Sequence, residues 1–508
     1  MKKLIFVFIL ALSVAVMSMS AQQRTYEYPF QDPSLSTEER VNDLVSRMTL
    51  KEKVDQLVNS APAIPRLGIP SYNWWNEALH GVARAGYATV FPQSITIANS
   101  WDEGLVFNVA TAISDEGRAK YHEFQRRGKT GIYQGLTFWS PNINIYRDPR
   151  WGRGHETYGE DPLLTGKLGS QFVKGLQGDD PKYLKTVATA KHFAVHSGPE
   201  PTRHSFNAKV SEVDLHETYL PAFRSLIMDA GAYSVMGAYN MFRDYPCCAN
   251  PILYGILRND WNFKGYIVSD CWAIPDFYRY QNYVKDAAEA AAAAIKAGTD
   301  LECGSDYLNA IEAIERGILT EDDVDVAVKR IFTARFKLGM FDPDDMVPYA
   351  QIPFFVNTSD YHNSLSREAA KKSIVLLKNQ DNILPLDKDL KTIAVIGPNA
   401  DNFESLIGNY NAIPKDPVTL LEGIKNKLKP ETKIIYAEGS DLAEGIHNLN
   451  VIPSRYLQTA DGIQGAFGEY FNNRDMKGEP VFTRVDDHIN FYWEHFSPHA
   501  DMPDDDFG

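Results

Sequence analysis

The chain has 508 residues, of which 44% are hydrophobic and 23% charged, a globular composition that excludes a mostly disordered, collagen-like or coiled-coil protein. Its 66 acidic and 51 basic residues give a net charge of −15, which disfavours binding to the phosphate backbone of nucleic acids. Four cysteines are too few for a disulfide-built scaffold. At roughly 150 residues per domain, the length leaves room for about three domains, or for one large barrel with smaller neighbours.

The amino terminus has the features of a secretory signal. Lys2 and Lys3 precede the apolar stretch 4–17, and small residues follow as far as Ser20. We therefore predict that residues 1–20 are a signal peptide and that the mature protein is exported to the periplasm or the extracellular space. The alternative is a buried N-terminal helix. No later apolar run approaches the roughly 18 residues of a membrane-spanning helix, so no membrane span is predicted.

Alternating apolar runs and amphipathic stretches follow the first helices. The stretch 37–59 is predicted helical, and Thr49 with Glu52 forms a capping box for its second helix. The predicted strands are 136–145, 186–193, 233–239 and 266–270, with helical stretches such as 215–230 and 287–297. This alternation is typical of a parallel sheet, and its length favours an α/β fold of the (β/α)8 TIM-type over residues 21–345.

A second domain is predicted after the barrel. The helix 323–338 ends at Gly339, with a proline soon after. Residues 346–372 are interpreted as a linker because the stretch that opens them is rich in proline and has little periodicity. New apolar strands at 373–378, 392–396 and 434–436 predict the first part of an α/β sandwich domain over 373–461.

Polar residues end several of the predicted barrel strands, where barrel enzymes place their active sites. They are Arg147, Asp148, Arg150, Arg153, Lys191, His192, Tyr239, Asn240 and Asp270. Several tryptophans, including Trp75 and Trp272, are near them in sequence. Aromatic faces that stack on C–H surfaces, together with charged partners for hydroxyl groups, are typical of a sugar-binding site.

The motifs around these residues resemble glycoside hydrolase family 3, and more closely its β-xylosidase-like branch, over residues 37–460. The motifs are PSYNWWNEALHGV (70–82), YRDPRWGRGHETYGEDP (146–162), AKHFAVHSGPEPTRH (190–204), VMGAYN (235–240) and GYIVSDCWAI (265–274). The resemblance implies a retaining exo-acting β-glycosidase that removes terminal β-linked xylose from xylo-oligosaccharides.

The resemblance also assigns roles to individual residues. Asp270 matches the family nucleophile, which forms a covalent glycosyl-enzyme that water then opens. We expect the positive charges of Lys191 and Arg153 to keep its pKa low. The resemblance implies that the substrate-binding residues are Glu77, Trp75, Arg153, Lys191, His192, Tyr239 and Trp272.

Glu77 bears on the choice of sugar. Members of the family that prefer glucose usually carry a shorter aspartate at this position, and the longer Glu77 favours pentoses such as xylose. The discrimination is about 1–3 kcal/mol, so a β-glucosidase or an α-L-arabinofuranosidase of the same family stays an alternative. A purely structural ion pair of Glu77 at a helix start is the other interpretation.

No metal and no cofactor is predicted. His192, His196 and His204 have a spacing that suggests metal ligands, but the resemblance accounts for His192 without a metal. Some family members are N-acetylglucosaminidases with a catalytic loop histidine. This chain lacks the Pro-Gly and Asp-Ser-His residues of that loop, so this interpretation is set aside.

The four cysteines fall into two sets, Cys271 with Cys303 and the adjacent Cys247 and Cys248. Cys271 follows the predicted nucleophile, and the resemblance implies a disulfide from Cys271 to Cys303 that would fix the nucleophile loop. Cys247 and Cys248 are adjacent, and both a vicinal disulfide and two buried thiols stay open.

The general acid is not identified. In two-domain members of the family it is a glutamate of the second domain, and no glutamate in 373–460 matches its position, so we expect it beyond residue 508. Residues 462–508 resemble the start of a protective-antigen-type β-sandwich module, which suggests a truncated chain. The alternative to an enzyme is a non-catalytic carbohydrate-binding protein on an inactive barrel. The only partner predicted is an oligosaccharide substrate.

Overall fold

The computed structural model of the chain describes residues 25–445, 451–452, 454–491, 493, 497–499, 502 and 507–508. The predicted signal peptide lies outside the described residues. The α-helices are Thr37–Arg47, Leu50–Asp55, Ser94–Ala98, Glu103–Arg126, Pro162–Gln177, Glu212–Asp214, Pro221–Met228, Pro251–Gly255, Asp276–Arg279, Ala287–Ala297, Ala310–Glu315, Glu321–Lys337, Asp360–Ser373, Glu404–Ile407 and Leu420–Lys425. The strands are Ser60–Ala61, Tyr72–Asn73, Thr137–Phe138, Val187–Phe193, Asn207–Ala208, Ser234–Gly237, Met241–Phe242, Tyr245–Pro246, Tyr266–Ser269, Thr392–Ile396, Lys433–Ala437, Ala466–Tyr470 and Phe482–Asp486.

Four parallel strands form the centre of the first domain. They are β1 (Thr137–Phe138), β2 (Val187–Phe193), β3 (Ser234–Gly237) and β4 (Tyr266–Ser269), hydrogen-bonded in that order. Each coincides with one of the predicted apolar runs, and all four are buried, as expected for a sheet covered by helices.

Short bridges continue this sheet into a barrel. Leu301 pairs with Val268 of β4, and Glu302 pairs with Val58. Ser60–Ala61 then pairs antiparallel with Tyr72–Asn73, and Asn76 pairs with Phe138 of β1. The first domain is therefore barrel-like, as the alternating pattern predicts.

Helices cover the outside of the barrel. Glu103–Arg126 and Pro162–Gln177 pack so closely that a Cβ on Gly175 would lie 2.6 Å from the carbonyl oxygen of Phe107, so only glycine allows this approach. On another side, Ala287–Ala297 and Glu321–Lys337 pack on Tyr266 and Val268 of β4. The apolar core thus lies between the strands and this helical layer, and it leaves the C-terminal strand ends free to carry polar groups.

The predicted linker is more ordered than its composition indicates. From residue 360 onward it belongs to the helix Asp360–Ser373, which has Ser359 as its N-cap and buries His362, Leu365 and Ala369. The imidazole Nδ1 of His362 lies 2.8 Å from Oε1 of buried Glu116. The prolines before residue 357 predict an irregular chain, whereas Ser359 and the buried residues that follow it begin a helix.

The second domain confirms two of its three predicted strands. Thr392–Ile396 pairs in parallel with Lys433–Ala437 over a small core. The prediction of a strand at 373–378 is wrong. Ser373 ends the preceding helix, and Leu377 is 91% exposed. An apolar run forms a strand only where a partner strand satisfies its backbone, and no described strand lies beside this one.

Candidate active site

A pocket of about 270 Å³ opens at the C-terminal ends of the barrel strands. Its lining contains the predicted site residues Trp75, Arg153, Tyr239, Asp270 and Trp272. It also contains residues that the sequence did not single out, namely Gly152, His155, Glu156, Arg203, Cys271, Asn409 and Tyr410. The other predicted residues, Glu77, Lys191 and His192, are buried beside this lining and contact it.

Asp270 directly follows β4 and is 7% exposed. Its Oδ1 accepts a hydrogen bond from the backbone N–H of Cys271 at 2.8 Å. Its Oδ2 lies 3.5 Å from Nε2 of His192 and 4.0 Å from a guanidinium nitrogen of Arg153. The second oxygen has no hydrogen-bond partner among the described residues. The carboxylate is thus held by Oδ1, while Oδ2 lies between His192 and Arg153 at the pocket lining, with the Tyr239 phenol nearby.

The expectation of a low pKa for Asp270 is not met. Burial raises the pKa of this carboxyl above its ordinary value, although the positive charges of Arg153 and Lys191 oppose the rise. The sequence shows the cations but not the loss of water around the carboxylate, and here desolvation is the larger effect.

His192 lies at the end of β2 and is fully buried. The side-chain oxygen of Asn144 accepts hydrogen bonds from the backbone N–H of His192 and, at 2.9 Å, from its ring Nδ1. Burial holds the pKa of His192 well below its ordinary value, so the ring is neutral. With the proton on Nδ1, its Nε2 is an acceptor that lies 3.5 Å from Oδ2 of Asp270, directly behind the pocket lining.

Arg153 is held by a carboxylate that the sequence analysis overlooked. Two guanidinium nitrogens donate to the two oxygens of Glu156 at 2.9 and 2.8 Å. Burial opposes ionisation, but Arg153 lowers the pKa of Glu156 to about 2. The bidentate pair fixes the Arg153 fork beside Asp270. The signal was present, since Glu156 follows Arg153 by three residues inside the quoted motif.

Glu77 and Lys191 form a buried ion pair. The Lys191 ammonium lies 3.1 and 3.3 Å from the two carboxylate oxygens of Glu77, and both side chains are nearly inaccessible. Burial raises the pKa of Glu77 to about 7, while the Lys191 charge opposes the rise. Glu77 is thus salt-bridged, as in the alternative interpretation, but it lies between the strand Tyr72–Asn73 and the helix Ser94–Ala98 and not at a helix start.

Aromatic rings form one side of the pocket. Trp75 stacks on buried Trp139 with ring centroids 5.7 Å apart, and the Trp272 ring meets Trp75 edge-on at 6.0 Å. Trp272 is 58% exposed, so its ring forms the rim. Tyr239 contributes a buried phenol whose pKa is raised well above its usual range by burial and by the charge of Asp270.

Two further groups of predicted residues lie elsewhere. Asp148 and Arg150 pair with each other on the surface, and the side chain of Arg150 is 90% exposed. Asn240 is buried and contacts Nδ1 of His196 at 3.0 Å. A polar residue at a strand end is thus not sufficient to place a side chain in the pocket.

The cysteine beside the nucleophile is bonded. Cys271 and Cys303 form a disulfide with Cα atoms 4.3 Å apart. The backbone of Trp272 also donates to the carbonyl of Cys303 at 2.7 Å. The nucleophile loop is therefore tied to the next strand of the barrel. Cys247 and Cys248 are buried free thiols.

The second domain contributes Asn409 and Tyr410 to the pocket. The Asn409 amide donates to Oε1 of Glu156 at 3.3 Å, and the Tyr410 ring lies over the Lys191 ammonium, 4.9 Å from its centroid. Neither residue was predicted, because no local pattern shows which loop of a second domain contacts a barrel.

Within the described ranges, no group of three or more His, Cys, Asp or Glu side chains is arranged to hold a metal ion. The helices among those same residues include none with both the length and the apolarity needed to cross a membrane. The pocket combines a carboxylate with one free oxygen, fixed cations, a neutral imidazole acceptor and stacking rings. This arrangement suits nucleophilic attack at the anomeric carbon of a sugar.

Comparison with known sequences agrees with this chemistry. The glycosyl hydrolase family 3 N-terminal domain matches residues 36–334, and the C-terminal domain of the same family matches 374–484, across the predicted boundary at 461. A xylan 1,4-β-xylosidase of Xylanibacter ruminicola is 44% identical over 465 residues, which are 90% of this chain and 53% of that protein. A β-xylosidase/α-L-arabinofuranosidase of Medicago sativa subsp. varia is also 44% identical, over 78% of this chain and 53% of its own length.

Two solved glycosidase structures are also similar to this chain. A family 3 exo-β-xylosidase in complex with a xylobiose aziridine activity-based probe has a TM-score of 0.77 and 36% identity, over 82% of this chain and 55% of that one. A β-glucosidase of Erythrobacter marinus has a TM-score of 0.71 and 30% identity, over 82% and 60%. The chain spans about half the length of the curated relatives it matches. The match of the N-terminal domain over more than half of the chain shows that it belongs to glycosyl hydrolase family 3.

Proposed function

We propose that the protein is a retaining exo-β-xylosidase that removes terminal β-linked xylose from xylo-oligosaccharides through a covalent glycosyl-enzyme on Asp270. The observation that carries the proposal is the Asp270 carboxylate in the pocket lining, whose Oδ2 lies between His192 and Arg153 and has no hydrogen-bond partner of standard geometry among the described residues. The names of the Xylanibacter relative and of the probe-bound structure support xylose as the sugar.

The geometry accounts for the first half of such a reaction. The Asp270 carboxylate attacks the anomeric carbon, a bond from Oδ2 to that carbon forms, and the leaving group departs with the electrons of the broken glycosidic bond. Arg153 and Lys191 favour the ionised nucleophile before attack. His192, through Nε2, and the Glu77–Lys191 pair hold sugar hydroxyls and keep the reacting carbon in place.

The described residues provide no evident proton donor for the leaving group. Glu156 is the other carboxyl group of the pocket lining, but Arg153 holds both of its oxygens and its pKa is about 2. We therefore expect residues 1–508 to cleave xylobiose slowly and activated aryl xylosides, which need no protonation, much faster.

The proposal is tested with 2,4-dinitrophenyl β-D-xyloside. Wild-type protein should release dinitrophenolate, and Asp270→Asn should lower the rate by about a thousandfold or more, because an amide cannot form the glycosyl-enzyme. The matched control is Asp148→Asn, in a surface carboxylate of the neighbouring strand-end loop, which should keep the wild-type rate. An unchanged rate in the Asp270 variant would refute the proposal.

A second candidate sugar is arabinofuranose, because the Medicago relative carries both activities in its name. The same assay with 4-nitrophenyl α-L-arabinofuranoside measures it. A kcat/KM above that for the corresponding xyloside would make arabinofuranose the principal substrate.

We also propose that the protein is exported. The support is the predicted signal at residues 1–20 together with the Cys271–Cys303 disulfide, since disulfides persist in oxidising compartments. Amino-terminal sequencing of the protein from its native cells should begin at Ala21.

Residues 462–508 are proposed to begin a protective-antigen-type β-sandwich module, in line with the antiparallel pair Ala466–Tyr470 and Phe482–Asp486.

A further inference from the structure

The neighbouring residues Arg203 and His204 join the pocket to a buried carboxylate that follows the nucleophile along the chain. The guanidinium Nε of Arg203 donates to Nε2 of His204 at 3.2 Å. The other ring nitrogen of His204, Nδ1, lies 2.7 Å from Oδ2 of Asp276. Asp276 is 3% exposed and begins the helix Asp276–Arg279, a few residues after Asp270. Arg203, His204 and Asp276 thus form a continuous side-chain triad, of which Arg203 lines the pocket.

The direction of the hydrogen bonds in this triad follows from the chemistry of arginine. A guanidinium carries only donors, so Nε2 of His204 accepts. The ring proton is therefore on Nδ1, and the neutral ring donates it to Asp276. Burial raises the pKa of Asp276 to about 6, so the acceptor is a carboxylate at neutral pH. Because Nε2 carries no proton and is bound by Arg203, His204 is not available to protonate a leaving group.

Arg203 and His204 both contact Tyr239. The guanidinium carbon of Arg203 lies over the Tyr239 ring, 5.2 Å from its centroid, and the His204 ring meets it edge-on with centroids 4.8 Å apart. The side-chain amide of Gln281 donates to the backbone carbonyls of His204 at 3.1 Å and of Tyr239 at 2.8 Å. The two backbones are therefore held together by Gln281, while the side chains of Arg203 and His204 confine the Tyr239 ring.

Tyr239 connects the triad to the nucleophile. It is 8% exposed and lines the same pocket as Asp270. Burial raises the pKa of Asp270, and the Tyr239 phenol is among the groups that oppose the rise. This effect depends on where the phenol oxygen lies, because the interaction of a hydroxyl group with a carboxylate weakens steeply with distance and angle. A displaced Tyr239 ring would therefore raise the pKa of Asp270 further.

We propose that His204 and Asp276 are positioning residues that keep the phenol of Tyr239 beside the nucleophile. His204 acts through its edge contact with the Tyr239 ring and through Arg203, and Asp276 acts by fixing the orientation of the His204 ring. The inference rests on the proposed function, because it concerns how the proposed nucleophile keeps its reactivity. Its consequence is that a neutral substitution in the triad changes the ionisation of Asp270.

The test measures covalent labelling of the 1–508 chain by 2,4-dinitrophenyl 2-deoxy-2-fluoro-β-D-xyloside as a function of pH. Intact-protein mass spectrometry gives the labelling rate, and the reagent needs no general acid. His204→Ala replaces one neutral side chain by another, so it changes positions and not charge. It should raise the midpoint of the acid limb by about half a pH unit and slow labelling on the plateau about tenfold.

The other charged and titratable groups around the triad and the nucleophile stay in place in this variant. They are Arg153, Lys191 and His192 beside Asp270, Glu200 beside Arg203, Tyr280 beside His204, and Arg279 near Asp276.

Two conservative variants separate position from charge. His204→Gln should recover part of the rate and of the midpoint, because one amide can accept from Arg203 and donate to Asp276. Asp276→Asn keeps an oxygen that accepts from His204 and removes a negative charge near Asp270, so its midpoint should stay or fall. The control is His216→Ala, in an exposed surface histidine, which should label as wild type does.

If His204→Ala does not fold by circular dichroism, His204→Phe replaces it, because phenylalanine fills the same space but cannot accept from Arg203. The same rise of the midpoint is expected. An unchanged midpoint in the folded variant overturns the inference even if labelling is slower, since lost packing alone gives that result, and the proposed function then stands. Absence of labelling of the wild type instead overturns the proposed function and the inference with it.

Discussion

At the scale of single residues, the chemistry of the pocket depends on how burial competes with charge. Asp270 is surrounded by cations, yet its pKa is raised, because the pocket removes water from the carboxylate more effectively than Arg153 and Lys191 replace it. The sequence predicted the cations and the nucleophile together. The sequence could not predict whether desolvation or positive charge has the larger effect on the pKa of Asp270, because solvent access depends on the packing of residues distant along the chain.

The raised pKa of Asp270 predicts the acid limb of its reactivity. Only the ionised carboxylate attacks, so covalent labelling by 2,4-dinitrophenyl 2-deoxy-2-fluoro-β-D-xyloside should fall as the pH drops through a midpoint above about 4, the pKa of an ordinary aspartate. The measurement is the labelling efficiency as a function of pH. A midpoint at or below that value would contradict the account of the pocket.

Glu77 has a pKa of about 7 and would add a second transition to that profile. Glu77→Gln separates the two groups. The variant should lose any step near neutral pH and retain the acid limb of Asp270, with weaker binding because Lys191 loses its charged partner. Loss of the acid limb in this variant would assign that limb to Glu77 and not to Asp270.

At the scale of elements, the stretch that closes the barrel contains a buried carboxyl group without a cation. Glu302 accepts a hydrogen bond from the backbone N–H of Tyr307 at 2.6 Å, and burial raises its pKa to about 8. Its other oxygen has no hydrogen-bond partner among the described residues. The folded protein therefore keeps a proton on Glu302 that the unfolded chain loses above about pH 4.3.

This difference predicts how thermal stability changes with pH. Because the folded state binds the proton more tightly, the contribution of Glu302 to stability is complete below about pH 4.3 and is lost as the pH rises through about 8. Glu302→Gln keeps the shape and removes the ionisation, so its melting temperature should gain on the wild type between pH 5 and 9. The control is Glu315→Gln, in an exposed helical residue. Parallel curves for wild type and Glu302→Gln would refute the prediction.

The helix Asp360–Ser373 lies where the sequence predicts a linker, and polar groups attach it to the barrel. Glu116 accepts from both the backbone and the hydroxyl of Thr89, from the Thr358 N–H at 3.0 Å and from the imidazole of His362 at 2.8 Å. The network joins this helix to the barrel loop 84–91, whose Arg84 and Ala88 N–H groups donate to the carbonyls of Asn411 and Ile413 in the second domain.

Removal of one partner from this network should be costly. His362→Ala leaves a buried carboxylate with one donor fewer, which is expected to cost about 2 kcal/mol and to lower the melting temperature by about 2–3 °C. Tyr361→Ala, in the exposed neighbouring residue, should change it by less than about 1 °C. Equal effects of the two substitutions in calorimetry would show that the network does not hold the helix.

At the scale of the whole molecule, features that depend on local sequence could be predicted, and features that depend on contacts between distant residues could not. The four barrel strands and the pocket residues that end them follow from local apolar runs and from motifs, and the structure confirms those strands. Glu156 lies inside a quoted motif, three residues after Arg153, but the sequence does not show that this ion pair is buried in the pocket lining. Tyr410 and Asn409 could not be found from local pattern, because their place in the pocket depends on backbone pairing between residues more than 300 positions apart, such as Tyr87 and Ile413.

The wrong prediction of a strand at 373–378 also comes from information that local sequence does not contain. Its apolar residues predict a strand only if another segment pairs with them, and that information is not local. The strands of the second domain are therefore predicted less well from the sequence than the four parallel strands of the barrel, which pair in chain order.

The central claim is that Asp270 is the residue that attacks the sugar, and one measurement tests it most directly. Wild-type protein is incubated with 2,4-dinitrophenyl 2-deoxy-2-fluoro-β-D-xyloside, digested and sequenced by tandem mass spectrometry. The account predicts one fluoroxylosyl group per chain, esterified to Asp270, and no labelling of Asp270→Asn. A stable label on another carboxylate, or labelling of the variant at the wild-type rate, would contradict it.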